Sequence, residues 1–363
     1  MPLIVDAHAD IAFNMFKYGR DYTRSAAETR RLEVGSQTVA DNEDALLGWP
    51  DYQRGQVAVI FSTIYATPIR HSSSSNKSQV YKTFDEAHQL CKEQLLTYHR
   101  MTDSAPDKFR LLASVRDLNL LLDHWQSPSE NGHPVGMVAL MEGAEGIRNP
   151  SELEEWHELG LRLIGPAWVG TRYSGGWKEP GPLTKEGREL LSAMADYNFI
   201  LDLSHMDELA SIEALDMYRG PIVGTHGNCL ALMPTSDSNR HFSDRIIEGI
   251  IERDGVVGVV PYNSYLKVGW TVGKHSRDEV PLGVVADHID HICQIAGDSL
   301  HAGIGSDFDG GFGLQSVPPE IDTIADLQNL VSLLQARGYS EKDIENILGG
   351  NWLTRLKRDL PTS

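Results

Sequence analysis

The segment LIVDAHAD (residues 3–10) ends a continuous apolar run with a histidine and an aspartate. A run of this length and composition is typical of a parallel strand that is covered on both faces. Four later segments have the same form: VGMVALMEG (135–143), FILDLSH (199–205), PIVGTH (221–226) and HAGIGSDFDG (301–310). Polar residues at the carboxyl ends of such strands are typical of the catalytic face of a barrel enzyme.

Eight strand-like runs alternate with helical patterns along the 363 residues. The predicted strands are 3–8, 57–65, 136–142, 161–167, 199–204, 221–225, 256–262 and 301–306. The predicted helices are 84–101, 152–159, 185–197, 207–218, 243–253, 282–295, 324–337 and 341–348. This alternation favours a (β/α)8 TIM barrel over a doubly wound sheet, and we expect residues 1–363 to form one such domain.

The composition excludes several classes of partner. The formal net charge of −19 argues against binding to nucleic acid or to an anionic membrane. No stretch has the length of a transmembrane helix, and no secretory signal is visible. The three cysteines are widely spaced and form no CxxC motif, so we expect reduced thiols in a cytoplasmic protein.

Two long segments are predicted to be loops, one at 66–82 with serines at 72–75, and one at 170–182 that is rich in glycine and proline. Both follow predicted strands, so both are expected on the catalytic face, where they could shape or cover a site. For the serine-rich loop, a solvent-exposed connection with no role at the site is an equally good interpretation.

His8 and Asp10 are candidate metal ligands, because alternate residues of a strand face the same side. Asp6 is expected to orient an imidazole or a backbone group nearby. Glu142 is preferred over Glu145, since Glu142 closes the apolar strand, where a carboxylate must be solvated, paired or metal-bound.

His205 and His226 end consecutive strands, which favours a shared metal over two core or capping histidines. His288 and His291, on a predicted helix, are expected on the outer surface. Asp307 could be a general base, a ligand or a loop-fixing residue, and we prefer the base because it directly follows its strand. Asp309 is expected to hold the turn.

Taken together, these motifs resemble the membrane (renal) dipeptidase family, the M19 peptidases of the amidohydrolase superfamily. The resemblance runs from VDAHAD to GGNW at 349–352, through MEG, LTKEGRELL at 183–191, DLSH, NRHFSD at 239–244 and GSDFDG. It implies a barrel with a binuclear zinc centre. Within that centre it assigns His8 and Asp10 to one metal, His205 and His226 to the other, and Glu142 to both.

The resemblance also implies roles in substrate binding. Asp307 would be the base near a bridging water and a partner for a substrate amino group. Arg240, in SNRHFSD, would pair with a substrate carboxylate, which suits the two parallel hydrogen bonds of a guanidinium. An ordinary surface cation is the alternative for Arg240.

One position departs from the family pattern. The family places a histidine at the end of the fourth strand, whereas LIGPAW here ends on Trp168. An indole cannot accept a proton and donates only through Nε1–H. Trp168 therefore cannot replace such a histidine fully, and Arg172 or Tyr173 on the following loop are candidates to supply a donor instead.

The resemblance thus implies a hydrolase that cleaves a dipeptide, an N-acyl amino acid or a similar small amide with a hydroxide bridging two divalent metals. Zinc is expected from the resemblance, although mixed nitrogen and oxygen ligands also accept manganese or cobalt. The alternatives are a lactonase or another small-molecule amidohydrolase adapted around Trp168, and a non-catalytic metal-binding homologue. The resemblance is also consistent with a homodimer.

Overall fold

The computed structural model describes residues 1–72 and 77–362. The central sheet has nine parallel strands, and the short strand Phe109–Leu111 is added to the outside of the barrel series by pairing with its third strand. The eight barrel strands are β1 (Ile4–Ala9), β2 (Val57–Ile64), β3 (Val135–Glu142), β4 (Leu161–Gly165), β5 (Ile200–Asp202), β6 (Ile222–Val223), β7 (Val257–Val259) and β8 (Ala302–Ile304). They are hydrogen-bonded in the order β7-β8-β1-β2-β3-β4-β5-β6. A parallel bridge between Gly224 and Val257 joins the two ends, so the sheet nearly closes into a barrel.

The strands form where the apolar runs predicted them. Every residue of β1 to β8 is buried, as expected for strands with side chains facing both the barrel interior and the surrounding helices. The fold class predicted from sequence is confirmed. The strands β5 to β8 are shorter than the apolar runs that predicted them, and each has only two or three residues.

Helices surround the sheet. They are α1 (Ala12–Tyr18), α2 (Ala26–Glu33), α3 (Gln37–Asn42), α4 (Trp49–Gly55), α5 (Phe84–Ser104), α6 (Val115–Gln126), α7 (Leu153–Glu158), α8 (Lys185–Asp196), α9 (Glu208–Met217), α10 (Asp244–Glu252), α11 (Asn263–Leu266), α12 (Gly283–Ala296), α13 (Leu330–Ala336), α14 (Glu341–Glu345) and α15 (Asn351–Asp359). The predicted helices are present. The helices α1 to α4, α6, α11 and α15 were not predicted, and most are too short to show a full apolar period.

One histidine lies where the sequence did not place it. His288 is fully buried on α12, and its Nδ1 accepts a hydrogen bond from the backbone N–H of Cys229 at 3.1 Å. The prediction of an outer-surface position is therefore wrong for His288. His291, one turn later, is only partly buried and lies 2.8 Å from Asp244. His288 therefore lies on the buried face of α12, and His291 lies at the edge of its exposed face.

The predicted loop at 66–82 contains the short strands Thr67–Pro68 and Val80–Tyr81, which pair with each other. The serines at 73–75 of that loop lie outside the described residues. Within residues 1–72 and 77–362, no helix combines the length and the apolar character that crossing a membrane requires.

Candidate metal centre

Six predicted site residues converge at the carboxyl ends of the barrel strands, and all six are buried: His8, Asp10, Glu142, His205, His226 and Asp307. Oε1 of Glu142 lies 2.7 Å from Nε2 of His205 and 3.4 Å from Nε2 of His226. The same oxygen lies 3.6 Å from Nε2 of His8. One carboxylate oxygen is therefore within reach of three imidazoles that come from three different strand ends.

The other two carboxylates flank His8. Nε2 of His8 lies 3.9 Å from Oδ2 of Asp10 and 3.8 Å from Oδ1 of Asp307. Three sets of residues each bring potential ligand atoms within 4.8 Å of one another: His8 with Asp10 and Glu142; Glu142 with His205 and His226; and His8 with His226 and Asp307. The first two sets share Glu142, so the cluster offers overlapping donor sets.

Burial controls the charges of the cluster. Burial raises the pKa of Glu142 and of Asp307 well above their ordinary values, and the nearby carboxylate of Asp10 adds to the effect. Burial lowers the pKa of His8 to about 3 and that of His205 well below its usual range. Burial therefore favours neutral imidazoles, whose lone pairs can bind a metal, and it disfavours neighbouring ionised carboxylates unless a cation lies between them.

This donor chemistry fits a divalent metal. Nε2 of His205 and Nε2 of His226 lie only 3.0 Å apart, with Oε1 of Glu142 beside both. Neutral imidazole nitrogens and carboxylate oxygens are common ligands of zinc and related ions, and a cation would offset the repulsion between the buried carboxylates. The other ring nitrogen of His226 lies 2.9 Å from Oγ1 of Thr225, a contact that orients the ring.

Two further buried aspartates position the strand ends. Asp6 accepts hydrogen bonds from the backbone N–H and the hydroxyl of Ser306, both at 2.6 Å, and so ties β1 to the end of β8. Asp6 therefore orients a backbone group, which is one of the two roles predicted for it. Asp202 accepts from the backbone N–H groups of Ser204 at 3.0 Å and Thr225 at 2.9 Å. Each aspartate thus fixes the neighbouring strand end next to candidate ligands.

The backbone turns sharply at several of these strand ends. His205, Asp307 and Asp309 have φ values of 67°, 57° and 64°, in the left-handed region that non-glycine residues seldom adopt. Such strain persists only where the surrounding structure holds it, and it is common at functional sites. Here the positive φ values occur at the residues that leave the strands to enter the catalytic face.

The side chain of Asp309, which the sequence predicts to hold its turn, joins the last strand end to the segment between β1 and β2. Its Oδ1 accepts a hydrogen bond from the backbone N–H of Leu46 at 2.8 Å, and its Oδ2 accepts from the hydroxyl of Tyr22 at 3.1 Å. The guanidinium of Arg20 lies 3.1 Å from Oδ2. These contacts reach well beyond the turn and anchor the segment between β1 and β2.

Arg240 is buried beside the cluster. Its Nη1 donates to the backbone carbonyl of His226 at 3.0 Å, and its guanidinium carbon lies 5.2 Å from the centre of the Tyr265 ring. Among the described residues, Nε and Nη2 have no hydrogen-bond partner. The alternative interpretation of Arg240 as a surface cation is therefore wrong. Buried, unpartnered guanidinium donors are suited to a planar anion such as a carboxylate.

The cluster lies at the floor of a cleft that encloses about 310 Å³. Asp10, Glu142, His205 and Asp307 line it, together with Trp168. This volume is near the lower end of the range for small-molecule sites. The cleft therefore suits a compact substrate.

Arg172 and Tyr173 direct their donors away from the cleft. The hydroxyl of Tyr173 donates to the backbone carbonyl of Ile147, and the guanidinium of Arg172 donates to the carbonyl of Arg148. Neither residue lines the cleft. The expectation that one of them compensates for Trp168 therefore has no support in their positions.

The two long loops, which the sequence places on the catalytic face, contact each other there. Nε of Arg70, from the first loop, donates to Oε1 of Glu179 in the second loop at 2.7 Å, and Nη2 donates to the carbonyl of Gly170 at 2.8 Å. Nε2 of His71 also lies 2.7 Å from Oε1 of Glu179. Thr67 of the first loop and Trp177 of the second line the cleft, so both loops shape the site.

The family model for membrane dipeptidase, peptidase family M19, matches residues 2–359. The chain therefore belongs to the membrane dipeptidase family, and it is a hydrolase of the metallopeptidase class. A protein of Klebsiella pneumoniae described as an uncharacterized protein in the pqqA 5' region is 33% identical over 233 residues, which are 61% of this chain and 82% of that protein. Dipeptidase aclJ of Aspergillus oryzae is 28% identical over 96% of this chain and 76% of its own length.

Solved structures of related proteins have the same fold. A metallopeptidase called dipeptidase AC superposes with a TM-score of 0.78 at 25% identity, covering 100% of this chain and 99% of that one. A metallopeptidase from Rhodobacter sphaeroides, solved with a phosphinate mimic of the dipeptide L-Ala-D-Ala, also gives a TM-score of 0.78 at 24% identity, with 99% of both chains covered.

Apart from Trp168, sequence reasoning did not single out the aromatic residues of the cleft. Tyr65 and Tyr262 line it, and each follows a barrel strand directly or within a few residues. The same strand-end position that identified the histidines could have identified these tyrosines. Phe13 and Trp177 carried no comparable signal, since they come from an unpredicted helix and from the middle of a loop.

Proposed function

We propose that this protein is a metal-dependent dipeptidase that hydrolyses a dipeptide or an N-acyl amino acid. The observation that carries the proposal is the position of Glu142 at the floor of the cleft, where one oxygen lies within 3.6 Å of three imidazole nitrogens. Membership of the membrane dipeptidase family and the likeness to dipeptidase aclJ support the same activity.

The proposed ligands are His8 and Asp10 for one ion, His205 and His226 for a second, and Glu142 for both. When bound, divalent metal ions would polarise the scissile carbonyl and lower the pKa of the attacking water. We propose zinc, because imidazole and carboxylate ligands suit it, and manganese or cobalt are the competing ions to test.

The remaining site residues would bind the substrate and move protons. Arg240 packs against Tyr265, which lines the cleft, and would hold the substrate carboxylate through Nε and Nη2. These donors have no hydrogen-bond partner among the described residues. Asp307 lines the cleft next to His8 and would accept the proton of the attacking water, then deliver it to the leaving amine. Burial of both groups excludes water that would weaken these interactions.

Trp168 favours one other candidate function. Its ring centre lies 6.3 Å from that of His205, so an indole stands beside the cluster where the family places a histidine. A lactone or another small amide whose carbonyl needs no donor at this position would tolerate the indole. A binding protein without catalysis is less well supported, because the candidate ligands and the candidate base are all present in one cluster.

Turnover of a dipeptide panel tests the proposal. Zinc-loaded protein would be assayed with L-L, L-D and D-D dipeptides and with simple lactones, beside Asp307→Asn. We expect at least one dipeptide to be hydrolysed and the variant to lose about 100-fold or more in kcat. Failure to cleave any dipeptide with metal bound would contradict the dipeptidase, and lactone turnover alone would favour the second candidate.

The family resemblance and the sequence also lead us to propose a cytoplasmic protein that is one barrel domain over residues 1–363 and assembles as a homodimer. Sedimentation equilibrium of the purified chain measures the assembly directly. A monomer at micromolar concentration would contradict the homodimer.

A further inference from the structure

Four of the aromatic side chains that line the cleft are in contact with one another, and we call them the aromatic wall: Phe13, Tyr65, Trp168 and Trp177. Their rings follow one another in contact. The ring centres of Phe13 and Tyr65 are 5.4 Å apart, those of Tyr65 and Trp168 are 4.8 Å apart, and those of Trp168 and Trp177 are 6.4 Å apart. Three of the four remain partly exposed in the cleft. They offer apolar surface that a ligand could cover.

The wall lies close to the candidate metal cluster. The ring centres of Trp168 and Trp177 are 6.3 Å and 6.5 Å from that of His205. A group attached to a carbonyl at the cluster would therefore meet these two indoles first.

The wall extends from a point opposite Arg240 toward the segment that contains Arg240. Tyr65 follows β2, and in a ring of eight strands the second strand is opposite the sixth, which precedes Arg240. Trp177 is nearer to that segment, because Nδ2 of Asn239 donates to the carbonyl of Gly176 at 3.3 Å. A substrate whose carboxylate is held at Arg240 thus directs its other end along the wall toward Tyr65, past the metal cluster.

The wall is held in place before any substrate binds. The backbone N–H of Trp177 donates to the carbonyl of Trp168 at 3.3 Å, and that of Glu179 donates to the carbonyl of Val169 at 2.7 Å. The carboxylate of Glu179 is in turn bound by Arg70 of the neighbouring loop. A preformed apolar surface binds its ligand without the entropic cost of ordering loops.

We propose that the aromatic wall binds an aromatic side chain on the residue that supplies the scissile carbonyl, so that the preferred substrates are dipeptides with an aromatic N-terminal residue. This inference rests on the proposed dipeptidase function and names the substrate class. An acidic side chain is disfavoured there, because a carboxylate would lose its hydration against four rings. A small side chain would leave the indoles exposed to water and would gain little binding free energy.

Two measurements on the metal-loaded protein test the inference. The first compares kcat/KM for Phe-Gly, Ala-Gly and Gly-Phe, with both configurations of the N-terminal residue. The second measures Kd by calorimetry for two phosphinate mimics of a dipeptide that differ only in a benzyl or a methyl group at the N-terminal residue. We expect roughly a tenfold or larger preference for Phe-Gly over Ala-Gly and for the benzyl mimic, as burial of an aromatic side chain provides.

Substitutions assign the preference to the wall. Trp168→Ala should reduce both ratios to within about threefold of one, whereas Trp168→Phe should keep most of the preference. Phe13→Ala should weaken the preference as well, and it serves as the second variant if Trp168→Ala fails to fold. Phe16→Ala is the matched control, because Phe16 is on the same helix, is 36% exposed and does not line the cleft.

The outcomes separate this inference from the proposed function. Cleavage of dipeptides with no preference, or with a preference for Gly-Phe, would overturn the aromatic wall while leaving the dipeptidase. A preference that Trp168→Ala and Phe13→Ala leave unchanged would also overturn it. Tighter binding of the benzyl mimic without cleavage of any dipeptide would support the wall and contradict the dipeptidase.

Discussion

Gly310 touches two of the three carboxylates of the cluster, which makes it a sensitive position at which to perturb the site without replacing a ligand. A Cβ added at Gly310 would lie 2.3 Å from Oδ1 of Asp307 and 2.7 Å from Oδ2 of Asp10. The φ of Gly310 lies outside the left-handed region, so alanine is not strained by the backbone itself. Gly310→Ala therefore acts through these two side chains and through the backbone oxygen of Asp307, which would lie 2.7 Å from the added Cβ.

The size of the effect follows from the distances. Ordinary van der Waals contact begins at 3.4 Å, so the oxygen of Asp307 must move by about 1 Å. A displacement of about 1 Å in a reacting group lowers the rate by about 100-fold. We expect Gly310→Ala to lose about this factor in kcat/KM, and to bind metal more weakly because Asp10 is displaced too.

The assay measures kcat/KM for the best dipeptide together with metal content, and thermal unfolding checks that the variant folds. Gly181→Ala is the matched control, because no described atom lies within 4 Å of its added Cβ and its backbone is unstrained. A Gly310→Ala enzyme within about threefold of wild type would refute the reasoning. Equal losses in both variants would show that the loops, and not the carboxylates, respond to the change.

Three further predictions concern the substrate anchor, the loops and the metal. Arg240→Lys keeps the positive charge but loses the two parallel donors, so we expect KM to rise about tenfold with a smaller change in kcat. An unchanged KM would contradict the role of Arg240 in binding the substrate carboxylate. Hydrogen bonds from Arg70 hold the pKa of Glu179 at about 2, below its ordinary 4.5, so the stabilisation that these bonds provide is present above pH 4.5 and is lost as the pH falls toward 2. The difference in unfolding free energy between wild type and Glu179→Gln should therefore shrink over this range, and a constant difference would count against the contact. Free metal at about 100 times its Kd should stabilise the chain by about 2.7 kcal/mol against unfolding, and a melting temperature unaffected by chelation would argue that no site is filled.

The barrel and its polar strand ends were predictable because both depend on local patterns. Apolar runs of strand length, separated by helical segments, define the parallel sheet, and a residue that follows such a run must lie on the catalytic face. His8, Glu142 and His226 are buried together for this reason. Their spacing in the sequence, by contrast, carries no distance information, and the 3.6 Å between His8 and Glu142 depends on how the ring of strands closes.

Other features depend on contacts between distant segments, and the sequence did not reveal them. The helices between β1 and β2 are short, and Asp309 anchors them from a position more than 250 residues away. The sequence spacing of His288 does not show which face of α12 it occupies; in the structure it is buried, and its Nδ1 accepts a hydrogen bond from the backbone N–H of Cys229. The residues of the aromatic wall come from a helix, two strand ends and a loop, so no single sequence motif predicts it.

The number of metal ions per chain tests the central claim most directly. Wild-type protein and Glu142→Gln would be loaded with zinc and separated from free metal, and their metal content would be measured by elemental mass spectrometry. We predict two ions per wild-type chain and fewer than one in the variant, because Glu142 joins the two donor sets. A wild-type chain that retains no ion, or a Glu142→Gln variant that retains both, would contradict a metal centre built on this carboxylate.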